Sequence, residues 1–243
     1  MGMTKGRVQE IAFYSQALQE EIALLIYLPA SFTPLHKYTL VIAQDGKDYL
    51  QFGKAAGVLE ALQSEGKIDR TIFIGIPYRN TVDRKEKYHP NGTQNKAYMR
   101  FLAHELVPYL DKQYPTYQMG KGRVLIGDSL GGTVSLLSAF LYPHTFGKAI
   151  IQSPFVNAAV LEQARSFTHH HVLELYHTIG TNETDVTTTD GSVHNFIDPN
   201  RELFSILQAK HFPYHYEEFQ GGHTWKYWQE NLPRAFSLML AAK

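Results

Sequence analysis

Three short stretches of this chain carry residue types that could together make a hydroxyl reactive. The first is Gly127-Asp128-Ser129-Leu130-Gly131, a G-x-S-x-G pattern. It follows the apolar run Val124-Leu125-Ile126 and precedes Val134, Leu136, Leu137, Phe140 and Leu141, which recur at helical spacing up to Pro143. The pattern puts Ser129 where a buried strand turns into a helix. There a serine is held in strained backbone angles with its hydroxyl above the sheet, and glycines clear the close approach of strand and helix. The helix start also offers free N–H groups to a developing oxyanion. A glycine-rich turn with a capping serine has the same letters, so other residues must decide.

A serine hydroxyl needs a base within hydrogen-bond reach and a carboxylate that holds the base in the right tautomer. When the serine sits on a strand-to-helix elbow, the partners follow in the order acid, then histidine, from loops after later strands. The chain meets that order with Gly180-Thr181-Asn182-Glu183-Thr184-Asp185 and then Gly221-Gly222-His223-Thr224-Trp225. His223 is the expected base. Glu183, nearest the strand end, is the expected acid, with Asp185 as the alternative and Asp190 and Asp198 as outsiders. The oxyanion donors are expected to be the N–H groups of Leu130 and of Lys47, the latter in the Asp45-Gly46-Lys47 turn; each is worth about 3 kcal/mol of barrier. Asp45, Arg79, Tyr88, His89, Phe155 and Trp225, with Trp228 beyond, are expected around the substrate.

The elements that must position these residues can be read from periodicity. Residues 7–14 and 20–29 alternate and suggest an antiparallel pair at a sheet edge. Apolar runs at 38–43, 71–76, 124–126 and 148–153 read as buried strands, followed by 172–179 and 214–219. Helical spacing appears at 53–65, from 98 towards Pro115, after Ser129, at 158–166 and within 196–211, and at 224–241 with an interruption at Pro233. Strand, helix and strand in succession indicate right-handed parallel crossovers. The polar segment 78–95 has no clear period and reads as a long loop, and 180–195 reads as turns. The expected fold class is α/β, a mostly parallel central sheet with helices on both faces, formed by a single domain over residues 1–243.

Composition narrows the chemistry. At 243 residues, with 44% hydrophobic and 19% charged residues, the chain can bury a sizeable core. Lys+Arg and Asp+Glu are equal at 23 each, without a basic stripe, so neither nucleic acid nor a membrane surface is an expected partner. Zero cysteines exclude disulfides and a thiol nucleophile, and the N-terminus lacks the apolar core of a secretory signal, which fits a cytoplasmic location. Three adjacent histidines, His169-His170-His171, cannot all face one ion from an extended segment and read as a solvated loop. No metal or organic cofactor is expected; the partner is a small-molecule ester, and a homo-oligomer is compatible with the sequence.

On Asp45-Gly46, Gly127-Asp-Ser-Leu-Gly-Gly132, Gln152-Ser-Pro154, Gly180-Thr-Asn-Glu183 and Gly221-Gly-His-Thr-Trp225 with Trp228 beyond, the chain resembles an esterase family of α/β-hydrolases. That family includes enterochelin-type trilactone esterases, S-formylglutathione hydrolases, feruloyl esterase domains and mycolyltransferases. The likeness runs over about residues 8–240 by strand order. It implies the α/β-hydrolase fold, an acid in the loop containing Glu183 and an oxyanion donor just after Asp-Gly. The activity implied is a serine carboxylesterase working through an acyl-enzyme, with a trilactone siderophore esterase, acyl transfer or a non-catalytic binding module as alternatives.

Overall fold

The computed structural model describes residues 6–189 and 191–242, so Asp190 lies outside the described residues. The chain opens with β1 (Arg7–Ser15) and β2 (Glu20–Leu28), then β3 (Thr39–Gln44), α1 (Gly46–Gln51), α2 (Ala55–Ser64) and β4 (Thr71–Ile76). Next come α3 (Thr81–Tyr88), α4 (Asn95–Phe101) and α5 (Val107–Gln113), the last two joined by a π-helical turn at Leu102–Leu106. β5 (Arg123–Asp128), α6 (Leu130–Leu141), β6 (Lys148–Gln152), α7 (Ala158–Ser166) and β7 (Glu174–Gly180) carry the centre. A small hairpin of β8 (Val186–Thr187) and β9 (Val193–His194), then α8 (Ile197–Gln208), β10 (Tyr214–Phe219) and α9 (Trp225–Met239) complete it.

Among the described residues eight strands form one sheet in the order β1-β2-β4-β3-β5-β6-β7-β10. β1, β2 and β4 pair antiparallel, and every pairing from β4 to β10 is parallel. The middles of β3, β4, β5 and β6 are apolar because both faces are covered. In β3, Leu40 and Ile42 enter a core with α4, α6 and α8, while Val41 and Ala43 enter a second core with α2 and α9. β5 divides the same way, Leu125 to the first and Val124 and Ile126 to the second. Period-two side-chain alternation thus feeds two layers of helices.

Three expectations need correcting. The 78–95 segment is not all loop, because it holds α3. The buried face of α3 consists of Asp83, Arg84, Lys87 and Tyr88, so no apolar period marks it. Its start is capped by the Asn80 side chain, which accepts from the Asp83 N–H. α9 is not interrupted at Pro233: the buried stripe of Trp228, Leu232, Ala235, Phe236 and Met239 holds the helix through it, packing overriding the lost N–H. The Asp45-Gly46 turn opens directly into α1.

Parallel pairing gives the site its place. Ser129 follows β5, Asp45 follows β3, Ser153 follows β6, Glu183 follows β7 and His223 follows β10, so all five lie beyond the same, C-terminal edge of the sheet.

Candidate active site

Ser129 adopts φ 52 and ψ −125, a conformation that costs a non-glycine residue of order 1–3 kcal/mol and needs support on all sides. Its N–H donates to the Gln152 carbonyl at 2.9 Å, and its carbonyl accepts from the Thr133 N–H at 3.1 Å and the Phe155 N–H at 3.2 Å. The Thr133 hydroxyl adds 2.7 Å and 3.1 Å bonds to the Phe155 and Ser129 carbonyls. A Cβ on Gly127 would stand 2.2 Å from the Gly131 carbonyl carbon, so the strand and the helix can meet only through glycine. Leu130 is the first residue of α6, and its N–H, at a helix start, has no acceptor one turn back. The Ser129 hydroxyl has no hydrogen-bond partner among the described residues; such bonds are commonly long without substrate and tighten when it binds.

Glu183 is fully buried, and both of its carboxylate oxygens are engaged. Oε2 accepts from His223 Nδ1 at 2.7 Å, while Oε1 accepts from the Ser153 hydroxyl at 2.6 Å and the Gly180 N–H at 2.8 Å. The Ser153 oxygen in turn accepts from Trp228 Nε1 at 3.1 Å. With Nδ1 donating to the carboxylate, His223 keeps Nε2 free as a base. Its ring is set between Phe196, at 4.5 Å, and the perpendicular ring of Trp228, at 4.9 Å. Asp185 and Asp198 are exposed, and neither has a hydrogen bond to His223 among the described residues.

Ser129, Leu130 and His223 line one cavity of about 350 Å³ with Phe155, Phe196, Arg84, Lys85, His89 and, from the β8–β9 segment, Thr187, Thr188, Thr189, Ser192 and His194. The Phe155 ring lies 5.3 Å from His89, 5.5 Å from His194 and 5.9 Å from Phe196, an aromatic wall that continues to His223. Of the expected substrate contacts, Phe155 and His89 line this space; Asp45, Arg79, Tyr88, Trp225 and Trp228 do not. Asp45 is buried in an ion pair with Arg84, and Arg79 faces solvent paired to Glu20 and Asp83. Tyr88 lies beneath the site against Tyr98, and Trp225 packs on Tyr49 and Phe52. Lys47 is exposed in the first turn of α1 and is not a lining residue. Arg84, Lys85, His194 and Phe196 have no part in the expected site, and Ser153 stands there only within the Gln152-Ser-Pro154 motif, without a role. Only Ser153 carried a usable signal, as the residue after a buried strand on the functional edge. Among the described residues no group of three or more His, Cys, Asp or Glu side chains is placed to hold a metal, and no helix is long and apolar enough to cross a membrane.

This geometry is that of an α/β-hydrolase, and residues 15–239 match the family described as "Putative esterase". The chain belongs to that family of esterases. It is 50% identical over 240 residues to the uncharacterized protein YjcH of Bacillus subtilis (strain 168), covering 99% of this chain and 100% of that one. Among solved structures it resembles a ferulic acid esterase, with a TM-score of 0.81 at 16% identity over 97% of this chain and 98% of the other. It also resembles the enterobactin esterase FES of Shigella flexneri in the presence of enterobactin, with a TM-score of 0.82 at 18% identity. The match covers 96% of this chain but 59% of that longer one.

Proposed function

We propose that this chain is a serine carboxylesterase with Ser129 as nucleophile, His223 as general base and acid, and Glu183 as the orienting carboxylate. The observation that carries the reading is the 2.7 Å bond from His223 Nδ1 to the buried Glu183, at the rim of the cavity that the strained Ser129 also lines. His223 Nε2 takes the Ser129 proton as Oγ attacks the ester carbonyl, and Glu183 stabilises the imidazolium. The Leu130 and Lys47 N–H groups hold the oxyanion. His223 then protonates the leaving alcohol, and water attacks the acyl-enzyme by the same steps in reverse.

A cavity of about 350 Å³ bounded by Phe155, Phe196 and the hairpin favours a compact ester over a macrocyclic trilactone. A panel of p-nitrophenyl esters of graded acyl length is expected to show turnover that peaks at short chains. Ser129→Ala is expected to lower kcat by a factor of about 10⁴ or more and to abolish labelling by a fluorophosphonate. Folded wild-type protein that neither turns over the panel nor reacts with the fluorophosphonate would instead make the chain a binding module.

A further inference from the structure

Arg84 has no part in the proton transfers above, yet it lines the cavity beside Ser129 and Leu130. Its side chain is only 10% exposed, and burying a guanidinium is costly unless its donors are matched. Nε and Nη2 are matched across two loops. Nε donates to Asp45 at 2.9 and 3.0 Å and Nη2 at 2.6 Å, while Nη2 also reaches the Asp128 carbonyl at 3.4 Å and stands 4.0 Å from the Asp128 carboxyl. The rings of Tyr78 and Tyr88 lie 5.8 and 5.7 Å from the guanidinium carbon. Burial, and then the neighbouring Asp45, push the Asp128 carboxyl well above the usual carboxylate range.

In chain order Asp45 stands two residues before Lys47, and Asp128 two residues before Leu130. The Asp45 backbone is left-handed, at φ 53, and its N–H donates to the Tyr88 hydroxyl at 3.4 Å. Its Oδ2 lies 3.0 Å from where a Cβ on Gly131 would be, so the start of α6 leaves room for it only because residue 131 is glycine. One planar group from α3 therefore holds the loop after β3 and the elbow after β5 against each other. On the catalytic reading given above, we infer that Arg84 is the positioning residue that fixes the separation of the two oxyanion donors. Lys85 and His89 of the same helix and its C-terminal cap line the cavity, so the element that meets substrate also holds the donors.

The test compares wild type, Arg84→Lys and Asp45→Asn for p-nitrophenyl acetate hydrolysis, inhibition by a phenylboronic acid and thermal melting. The boronate forms a tetrahedral adduct on a nucleophilic serine and places an oxygen where the oxyanion develops. Arg84→Lys is expected to lower kcat about 100-fold with KM within about twofold, and to weaken boronate binding by a similar factor. Lysine does not restore the wild-type values because it is a point charge without the two-pronged fork. Asp45→Asn is expected to show about a tenfold version of both losses, and it decides the matter where Arg84→Lys gives no cooperative melt. A fall in kcat with unchanged boronate affinity would report a smaller folded fraction and overturn the inference, as would no change in either. Those results leave Ser129-dependent activity standing in wild type. Wild type without it would remove the esterase reading itself.

Discussion

A carboxylate taken fully out of water must have its oxygens occupied, or burial will neutralise it. Glu183 is occupied without a basic partner other than His223: the Ser153 hydroxyl and the Gly180 N–H hold Oε1 and leave Oε2 for the imidazole. Glu183 is thus set apart from Asp185, which is exposed and has no hydrogen bond to His223 among the described residues. Glu183→Gln retains the shape but disturbs the tautomer and the charge facing it, and is expected to lower kcat/KM for p-nitrophenyl acetate by about 10⁴. Asp185→Asn, at an exposed site, is expected to stay within about twofold of wild type. Ser153→Ala removes a donor from a charged acceptor and strands the Trp228 indole N–H, a loss of about 1.5–3 kcal/mol. If that bond strengthens as the imidazolium forms, kcat falls at least about tenfold with KM little changed, and the steady-state kinetics of this one variant measure it.

Between elements, the tightest fit is where α1 crosses β4. A Cβ on Gly46 would sit 2.1 Å from the Gly75 Cα and 2.3 Å from the Ile76 nitrogen, with only backbone in the way. Gly46→Ala is therefore expected to cost at least about 1–3 kcal/mol, read as a lower urea midpoint at an unchanged slope. The same crossing explains what the sequence could reveal. β3 to β6 were legible because each holds a short apolar run buried on both faces, and α7 because an apolar stripe lies under Val160, Leu161 and Ala164. The positions of Ser129, Glu183 and His223 beyond strand ends were legible because glycines and turn residues mark where those strands stop. α3 was not, since its buried face is charged and its stability comes from partners far away in sequence: Lys87 with Glu20, and Arg84 with Asp45. The cavity wall was misread for a related reason. With Tyr88 turned inward, and Arg79 outward just before the helix, the cavity-lining residues of that helix are Arg84 and Lys85, and helical phase is invisible in a segment read as loop.

At the scale of the whole molecule, two buried groups pull stability in opposite directions as pH changes. His177 on β7 is fully buried; its Nε2 donates to Asn200 Oδ1 at 2.7 Å and its Nδ1 accepts from the Tyr214 hydroxyl at 2.7 Å, a neutral ring with both nitrogens satisfied. Asn200 passes the connection on to the Pro154 and Phe196 carbonyls, beside Glu183 and the cavity. Burial lowers the His177 pKa from 6.5 to about 4. In that interval the unfolded chain binds a proton that the folded chain refuses, so this group's contribution is complete above about pH 6.5 and is lost as pH falls towards 4, by about 3 kcal/mol in all. Asp128 has the other sign. Its folded pKa is raised by burial and by Asp45, so the folded chain holds a proton that the unfolded chain has released. Its contribution is complete below the unfolded value, near pH 4, and is lost as pH rises towards the folded one. Chemical denaturation of wild type, His177→Gln and Asp128→Asn at a series of pH values separates the two. His177→Gln can keep a donor to Asn200 and an acceptor for Tyr214, and it is expected to lose less stability than wild type between about pH 6.5 and 4. Asp128→Asn is expected to lose less than wild type as pH rises from about 4. If both variants track the wild-type slope, neither buried group titrates differently in the folded chain. The neutral imidazole and the protonated carboxyl beneath Ser129 would then both have to be abandoned.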